Sequence, residues 1–333
     1  MASLYRSIRS GVAPAAKTVL FRSGALRALR TVRPSRQLAI LRYHAICGPE
    51  GYAYASPGIC ISPEAFETHV RYLAASYNVV SLPEAVEALA SGTLPGNAVA
   101  ITFDDGYADN LAAARVLAAH GLTATFYITA GCMAGGDPFW PAEIRYLLAG
   151  VPGSRIALQA GTVRIDLDLS SEEARADALG RLTKAFKSHP IPVREELRVS
   201  LRSQSNAGAP PRIMLTWDEV REMHALGMTI GSHTMTHPNL PSAGLEAARQ
   251  QLIDSKARLE AEIGAPVTMF SYPNGGAERY LTPAIKALVR DAGYRAATTS
   301  RNAFARRASD PFALERVEVE RFAFQPGEKH AAS

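Results

Sequence analysis

The sequence predicts an α/β fold built on a parallel β-sheet. Short apolar or β-branched segments, typical of buried strands, alternate with segments that carry helix start and stop signals through most of the 333 residues. Such alternation is typical of parallel sheets, whose crossovers are helices. The number of strand–helix units favours a closed or nearly closed barrel over an open sheet. The chain is 47% apolar, which suffices for one large core or for one core and a smaller insert.

In the first part of the chain, capping residues mark where helices begin. Ser62 followed by Pro63 is typical of an N-cap and a first helical position. Ser81 and Glu84 have the spacing of a capping box, and Gly121 is a stop signal. These signals predict strands at residues 38–43, 98–103 and 123–128, and helices at residues 63–75, 82–90 and 110–120.

The same alternation resumes after residue 216. Thr216 and Glu219 have capping-box spacing, and Gly227, Gly264 and Gly293 are placed to end three helices. We expect helices at residues 216–227, 245–263 and 281–292, and strands at residues 228–231, 267–272, 294–299 and 314–319.

Residues 133–212 interrupt the alternation and are interpreted as an insert beside the mouth of the barrel. The expected elements are a helix at 142–148, a strand pair at 155–158 and 162–167, a helix at 171–187 and a loop at 203–212 rich in Ser, Gly, Ala and Pro. The predicted organisation is a tail at 1–37, the barrel region at 38–325 with this insert, and a C-terminal tail at 326–333.

The positive charge of the chain is concentrated in the N-terminal tail. The net charge is +5, and residues 1–37 contain eight Arg or Lys and no acid. This tail is interpreted either as a basic amphipathic helix on an anionic membrane surface, or as a loosely packed leader; a transit peptide is a third interpretation. No secretory signal and no run of about 18 apolar residues is found. The charge pattern indicates no nucleic-acid partner.

The cysteine content agrees with a cytoplasmic protein. Cys47, Cys60 and Cys132 match no zinc-binding spacing, and an odd count argues against a disulfide framework. Buried thiols in a reducing compartment are the expectation. We therefore predict a cytoplasmic location, with peripheral contact at the inner face of the membrane if the tail binds lipid.

Two short motifs far apart in the chain carry the candidate chemistry. Residues 102–106 read Thr-Phe-Asp-Asp-Gly and residues 233–237 read His-Thr-Met-Thr-His, each directly after a predicted strand. One Asp and two His are a common ligand set for a divalent metal, and the remaining carboxylate is then free to act as a base. Taken alone, each motif is more often a turn or a pair of structural histidines. Their placement at strand ends favours a metal-assisted hydrolase.

The two motifs resemble those of the polysaccharide deacetylase family, the NodB-homology fold of carbohydrate esterase family 4. The family's first motif and its second, His-[Ser/Thr]-x-x-His, are unaltered here, and residues 270–275 resemble its third. The resemblance covers residues 38–319. It implies a distorted (β/α) barrel of about seven parallel strands with the site at the strand C-terminal ends. It also implies hydrolysis of the N-acetyl group, or an O-acetyl group, of a carbohydrate substrate.

The resemblance also implies roles for the motif residues. Asp105, His233 and His237 would bind one divalent metal, and Asp104 would be the general base. Zinc is the metal expected first, with cobalt, nickel and iron as alternatives. The residues alone do not decide which Asp has which role.

The chain departs from the family pattern at two positions. Many members carry in the third motif an Arg that pairs with the base; Ser271 occupies that place here, and Arg316 is the candidate substitute. Many members donate the leaving-group proton from a late His, but after the last predicted strand the remaining one is His330, in a polar tail. His44 ends a predicted strand and resembles the acid of another branch of the family. The alternative for His44 is a buried, hydrogen-bonded histidine.

Substrate contacts are expected from two further places. Backbone N–H groups near Tyr272, Pro273 and Asn274 are candidates for stabilising the developing oxyanion, although Tyr272 could instead pack against the metal ligands. Trp140 is a candidate for stacking on a sugar face, and the alternative is a Trp that anchors the insert to the barrel.

Other functions remain open from the residues. A two-His, one-carboxylate set also serves non-haem iron oxygenases, although an α/β pattern argues against that class. Adjacent carboxylates argue against an Asp-x-Asp phosphatase. A carbohydrate-binding relative that keeps the metal but has impaired catalysis is the main alternative, because the third-motif Arg is missing. The identity of the acetylated sugar and the oligomeric state are not predicted.

Overall fold

The structure, a computed structural model, describes residues 34–208 and 210–319. The predicted tails at 1–37 and 326–333 lie outside the described residues, apart from residues 34–37. The membrane interpretation of the N-terminal tail therefore stays a prediction. Among the helices of the described chain, none has the length and apolar character needed to cross a bilayer.

A closed barrel of seven parallel strands forms the centre of the molecule. Around it the strands follow the order β1, β10, β9, β8, β7, β4, β3, and β3 pairs back onto β1 from Val99 to Phe103. This closure confirms the predicted (β/α) barrel, and the sequence predicts all seven strands within three residues of their ends. The strands are β1 (Ala39–Tyr43), β2 (Asn78–Val79), β3 (Ala98–Phe103), β4 (Thr125–Ile128), β5 (Arg155–Ala160), β6 (Val163–Asp168), β7 (Thr229–Ser232), β8 (Met269–Ser271), β9 (Ala296–Asn302) and β10 (Leu314–Glu318).

Helices cover the outside of the barrel and begin at the predicted caps. The Ser62 hydroxyl accepts a hydrogen bond from the Ala65 N–H, and Thr216 and Glu219 form both bonds of a capping box. The α-helices of the described chain are α1 (Pro63–Ser76), α2 (Leu82–Ser91), α3 (Asn110–Ala119), α4 (Trp140–Ala149), α5 (Glu172–Ser188), α6 (Ile191–Arg202), α7 (Trp217–Ala225), α8 (Leu240–Ala243), α9 (Leu245–Ile263) and α10 (Pro283–Asp291).

Three elements are not predicted from the sequence: helix α6, the short helix α8 and the two-residue strand β2. Helix α6 is hard to recognise because its buried face carries charge. Arg194 and Arg198 lie on that face together with Leu197 and Leu201, so the apolar periodicity is diluted. Tertiary contacts, described below, compensate for these two buried guanidinium groups.

The region interpreted as an insert has an apolar cluster of its own. Helices α4, α5 and α6 and the β5–β6 hairpin pack around Ile144, Leu158, Leu182 and Leu197, all of which are buried. This cluster is distinct from the main barrel cluster. The predicted bounds of the tails, of the barrel region and of the insert stay a prediction, because this packing does not test them.

Candidate active site

Asp105, His233 and His237 form a compact cluster at the C-terminal ends of the barrel strands. Asp105 follows β3, and both histidines follow β7. The Asp105 Oδ1 atom lies 3.4 Å from His233 Nε2 and 3.4 Å from His237 Nε2. The three possible ligand atoms lie within 4.8 Å of one another, and all three residues are buried. The barrel thus brings Asp105 together with two histidines that lie well over one hundred residues later in the sequence.

The chemistry of these donors fits a divalent cation. The Nδ1 atom of His233 lies 2.7 Å from the carbonyl oxygen of Ser271, which can only accept, so Nδ1 carries a proton and Nε2 is the atom turned toward Asp105. Burial lowers the pKa of His237 to about 3, although the charge of Asp105 opposes that shift, so this ring is neutral. The Nε2 atoms of both rings and one carboxylate oxygen thus face a common point, where a cation would be held. Such a set suits zinc and similar metals.

Backbone strain is concentrated at the candidate site. Four of the five non-glycine residues with positive φ in the described chain lie in the three motifs: Asp105 at 78°, Thr234 at 70°, His237 at 53° and Asn274 at 60°. A β-branched residue such as Thr234 rarely adopts this conformation. Its hydroxyl accepts a hydrogen bond from the His237 N–H at 3.0 Å, which helps to hold the loop. Strain of this kind is typical of residues placed for function.

Asp104 is bound by Arg316 in a bidentate pair. The Arg316 Nη1 atom donates to Oδ1 at 2.7 Å, and Nη2 donates to Oδ2 at 2.6 Å. Nη2 also donates to the Ser271 hydroxyl at 3.1 Å. Burial acts to raise the pKa of Asp104, but Arg316, with smaller contributions from His233 and His44, holds it far below its ordinary value. Asp104 is therefore ionised and fixed in orientation.

His44 lies beside Asp104 at the end of β1. Its Nε2 atom is 3.7 Å from Asp104 Oδ2, and its side chain is 20% exposed. Burial lowers the pKa of the His44 imidazole, while the charges of Asp104 and Asp105 act in the opposite direction. The side-chain amide of Asn110 donates to the His44 carbonyl oxygen at 2.8 Å and fixes the backbone there.

The prediction that Tyr272 donates its N–H to an oxyanion is wrong. That N–H already donates to the Thr298 carbonyl at 3.2 Å, as part of the β8–β9 pairing. The alternative, packing against the metal ligands, is not found either. The ring packs edge-on against Phe270, and its hydroxyl donates to the Phe312 carbonyl at 2.9 Å. Tyr272 thus belongs to the barrel core.

Among the other third-motif residues, the backbone N–H of Asn274 stays an untested prediction, and the structure shows a side-chain donor there as well. Pro273 has no N–H, so it is also wrong as a backbone donor. The side-chain Nδ2 of Asn274 is buried and has no hydrogen-bond partner within residues 34–208 and 210–319. Buried amide groups are seldom left unpaired, so a water molecule or a ligand is the expected partner of this atom.

The prediction that Trp140 stacks on a sugar is wrong, because the ring has no open face. Trp140 is 1% exposed and packs against Phe186 and His237. Its indole N–H donates to the His237 carbonyl at 2.9 Å. Trp140 therefore anchors the insert to the loop that carries a candidate metal ligand, which agrees with the alternative interpretation.

Two residues that hold this loop are missed by sequence reasoning. The buried Arg194 of α6 donates to the Thr236 carbonyl and to its hydroxyl, each at 3.1 Å. The Gln251 Oε1 atom of α9 accepts from the N–H groups of Met235 and Thr236 at 3.0 and 2.9 Å. Neither residue belongs to a short motif, and nothing in its local sequence distinguishes it from a surface residue.

This chain resembles known proteins both in sequence and in fold. The family model for polysaccharide deacetylase matches residues 91–151 and 182–297, together more than half of the chain. YxkH of Bacillus subtilis (strain 168), a protein named as a polysaccharide deacetylase, is 31% identical over 105 residues. That alignment covers 32% of this chain and 36% of YxkH.

Two solved structures show a similar fold at low identity. The Streptococcus pyogenes deacetylase PplD, in complex with acetate, is 20% identical with a TM-score of 0.57, over 86% of this chain and 93% of PplD. IcaB from Ammonifex degensii is 19% identical with a TM-score of 0.57, over 87% of this chain and 95% of IcaB. Because both candidate motifs at the barrel mouth fall within the residues matched by the family model, we conclude that this chain belongs to the polysaccharide deacetylase family.

Proposed function

We propose that this protein is a metal-dependent hydrolase that removes the N-acetyl group, or an O-acetyl group, from a sugar or polysaccharide precursor. One observation carries the proposal. A second buried carboxylate, Asp104, lies next to the cluster of Asp105, His233 and His237 and is kept ionised by Arg316. Metal binding alone would not require this second carboxylate, whereas hydrolysis requires a base.

Asp105, His233 and His237 are the proposed metal ligands, with zinc expected first and cobalt, nickel or iron as alternatives. When bound, such a metal would acidify water and polarise the acyl carbonyl. Asp104 then accepts the proton of the attacking water. Arg316 keeps Asp104 ionised and aims its oxygens, so that little reorientation is needed during the reaction.

Two further residues are proposed to act on the leaving group and the oxyanion. We assign to His44, partly exposed beside Asp104, the role of giving a proton to the departing amine nitrogen. We assign to Asn274, whose buried Nδ2 has no partner in the described chain, the role of a donor to the developing oxyanion. Both roles use side chains that the folded protein leaves without strong competing contacts.

The main alternative function is that of a carbohydrate-binding relative with impaired catalysis. Its support in the sequence is Ser271, which occupies the place of a family Arg. The contacts weaken that support, since Arg316 reaches Asp104 from β10 and Ser271 accepts one of its hydrogen bonds. We therefore favour the enzyme over the binding protein.

The test compares metal content and turnover in purified protein and two variants. Acetate release is measured from N-acetylated chito-oligosaccharides, O-acetylated sugars and an activated acetate ester, with added zinc. His233→Ala should lose stoichiometric metal. Asp104→Asn should keep its metal and lose about 10²–10⁴-fold in rate, the usual contribution of a positioned base. Acetate release by Asp104→Asn at the parental rate, or metal-loaded parent protein that hydrolyses none of these substrates, would contradict the proposal.

A further inference from the structure

A cationic groove lies beside the candidate active site and is not used by the mechanism above. It has a volume of about 600 Å³ and runs between the C-terminal half of α5, helix α8 and the 3₁₀ turn at Glu278–Tyr280. The side chains that matter for its chemistry are Lys184, Lys187, Asn239, Ser242, Arg279 and Tyr280.

The groove has three positive groups and no acidic one. No Asp or Glu is among the residues that line it. Among the lysines of the described chain, Lys256 and Lys286 form ion pairs, whereas Lys184 and Lys187 do not. Lys187 is half-buried, so the absence of a partner within the described residues costs stability. Like charges gathered in this way indicate a site for an anion.

Two of the residues that line the groove, Asn239 and Lys187, connect it to the candidate metal cluster. Asn239 lies two residues after His237, and its Nδ2 donates to the Lys187 carbonyl at 3.1 Å and to the Ser242 hydroxyl at 3.0 Å. Burial lowers the pKa of the Lys187 ammonium, and the opposing influence is the charge of Asp105. Lys187 thus lies within electrostatic reach of the candidate metal ligand.

Stabilisation of a helix end explains only part of this grouping of positive side chains. Lys187 is in the last turn of α5, where a cation interacts favourably with the helix dipole. That effect does not account for Arg279, which comes from a different segment and lies over the Tyr280 ring at 4.8 Å. The Arg279 Nη2 atom donates to the Tyr280 hydroxyl at 3.0 Å, which holds the guanidinium at the groove. The other guanidinium N–H groups remain available to a ligand.

We propose that this groove binds a phosphate group carried by the acetylated carbohydrate, so that the preferred substrate is a sugar phosphate or a phosphate-linked sugar rather than a neutral glycan. A phosphate suits three cations better than a single carboxylate does, because it carries nearly two negative charges and three acceptor oxygens. The Ser242 hydroxyl, which accepts from Asn239, can still donate its own proton to the anion. This inference rests on the proposed deacetylase function for its substrate, but the anion site itself can be tested without turnover.

The first experiment measures binding to the metal-loaded protein by calorimetry. Glucose 1-phosphate and methyl glucoside are the probes, since neither has an acetyl group to lose. The parent protein should bind the phosphate at least about tenfold more tightly than the neutral sugar, the scale of one charge-assisted contact. Lys187→Gln and Arg279→Gln should each reduce this preference several-fold. Arg181→Gln, on the exposed face of the same helix as Lys187, should keep it and provides the matched control for loss of one charge.

Equal binding of the two probes by the parent protein would overturn the proposal. So would an unchanged preference in both groove variants, because the phosphate would then be held by the metal. A second experiment compares acetate release from N-acetylglucosamine 1-phosphate, N-acetylmuramic acid and methyl N-acetylglucosaminide. If kcat/KM is highest for N-acetylglucosamine 1-phosphate, the proposal is supported. If it is highest for N-acetylmuramic acid, which carries a carboxylate, the choice of phosphate as the bound anion is overturned. If no compound releases acetate while the Lys187-dependent preference persists, the proposed deacetylase function fails and the anion site stands.

Discussion

A single arginine decides how the candidate base is held. In many members of the family the partner of the base comes from the third motif, at the place of Ser271 here. In this protein the guanidinium of Arg316 enters from β10 and binds both oxygens of Asp104, at 2.7 and 2.6 Å. A bidentate pair fixes the plane of the carboxylate as well as its charge. The contact to the candidate base is thus made here by a residue of β10, outside the third motif.

His44 is expected to matter most when the leaving group is an amine. An amine anion is a poor leaving group, so its nitrogen must be protonated, whereas an activated ester needs no acid. His44→Ala should retain its metal and hydrolyse an N-acetyl substrate at least roughly tenfold more slowly, at the lower side of the usual acid–base contribution. Hydrolysis of 4-nitrophenyl acetate should fall much less.

The matched control for His44 is His120→Ala, because His120 is exposed and lies on α3's C-terminal end away from the motifs. It should leave both rates unchanged. If the amide and ester rates of His44→Ala fall by the same factor, His44 is not the acid and another proton donor must be sought.

Asp109 is a buried carboxyl that lowers stability at neutral pH. Its Oδ2 atom is buried without a partner in the described chain, and burial raises its pKa from 3.8 to about 6. Between these two values the folded state holds a proton that the unfolded state has lost, so the free energy of unfolding decreases as pH rises through this window. Above pH 6 the Asp109 carboxyl is ionised in the folded protein. Its burial then lowers the free energy of unfolding by about 3 kcal/mol, which corresponds to a pKa shift of about two units.

Asp109→Asn should therefore be more stable than the parent protein at pH 8, with a smaller advantage at pH 5. Urea unfolding at both values measures the difference. Asp177→Asn, at an exposed position of α5, removes the same charge without burial and should show no such dependence on pH. An advantage of Asp109→Asn that is larger at pH 5 than at pH 8 would contradict this explanation.

At the scale of elements, helix α6 supports the loop that carries the two histidines. Arg194 extends from this helix to the Thr236 carbonyl and hydroxyl, and Trp140 of α4 holds the His237 carbonyl. The region predicted as an insert thus contributes to the geometry of the candidate metal cluster as well as having a core of its own. This also explains why α6 buries two arginines, since Arg198 binds Glu143 at 2.6 Å within the same layer.

Arg194→Met should weaken metal binding about 10- to 100-fold, the usual effect of removing a group that orients a metal ligand. The measurement is competition for zinc against a chelator, with circular dichroism to confirm that the fold is kept. Thr236→Val keeps the side-chain shape and removes one of the two acceptors, so its effect should be smaller. Arg181→Met, exposed on α5, is the control. Unchanged zinc affinity in folded Arg194→Met protein would show that the helix only packs against the loop.

At the scale of the whole molecule, contacts with the barrel begin within the last residues of the predicted tail. The Ser35 N–H donates to the Asn97 side chain at 3.0 Å, and the Asn97 N–H donates to the Ser35 carbonyl at 2.8 Å. Leu38 also pairs with Ala305 across the barrel end. A shortened chain should therefore begin at Pro34, to keep these contacts.

Removal of residues 1–33 should leave the unfolding temperature and metal content unchanged and should abolish binding to anionic vesicles. Seven basic residues and no acid lie in that segment, and each basic residue near an anionic surface contributes about 1 kcal/mol. Flotation with phosphatidylserine vesicles measures the binding, and neutral phosphatidylcholine vesicles are the control. Equal flotation of the full and shortened chains would exclude the tail as a membrane-binding element.

Local patterns in the sequence determined the order of strands and helices and the two motifs of the candidate metal site. Strand runs, capping boxes and terminal glycines depend on neighbouring residues, so they can be read without knowledge of the fold, as the agreement for α1 and α9 shows. The exception is α6, where two buried arginines replace apolar residues. Those arginines are satisfied by groups from other elements, and local patterns contain no information about such partners.

Only the tertiary structure decided which side chains surround the candidate site. Arg316 meets Asp104 across 212 residues of sequence, and Lys187, in the region predicted as an insert, lies within electrostatic reach of Asp105. Tyr272 lost its predicted role because its N–H pairs with β9, and Trp140 lost its own because helix packing closes both faces of the ring. Each of these outcomes depends on strand register and barrel closure. Both arise from long-range packing, and a one-residue change of register would reverse the direction of every side chain on a strand.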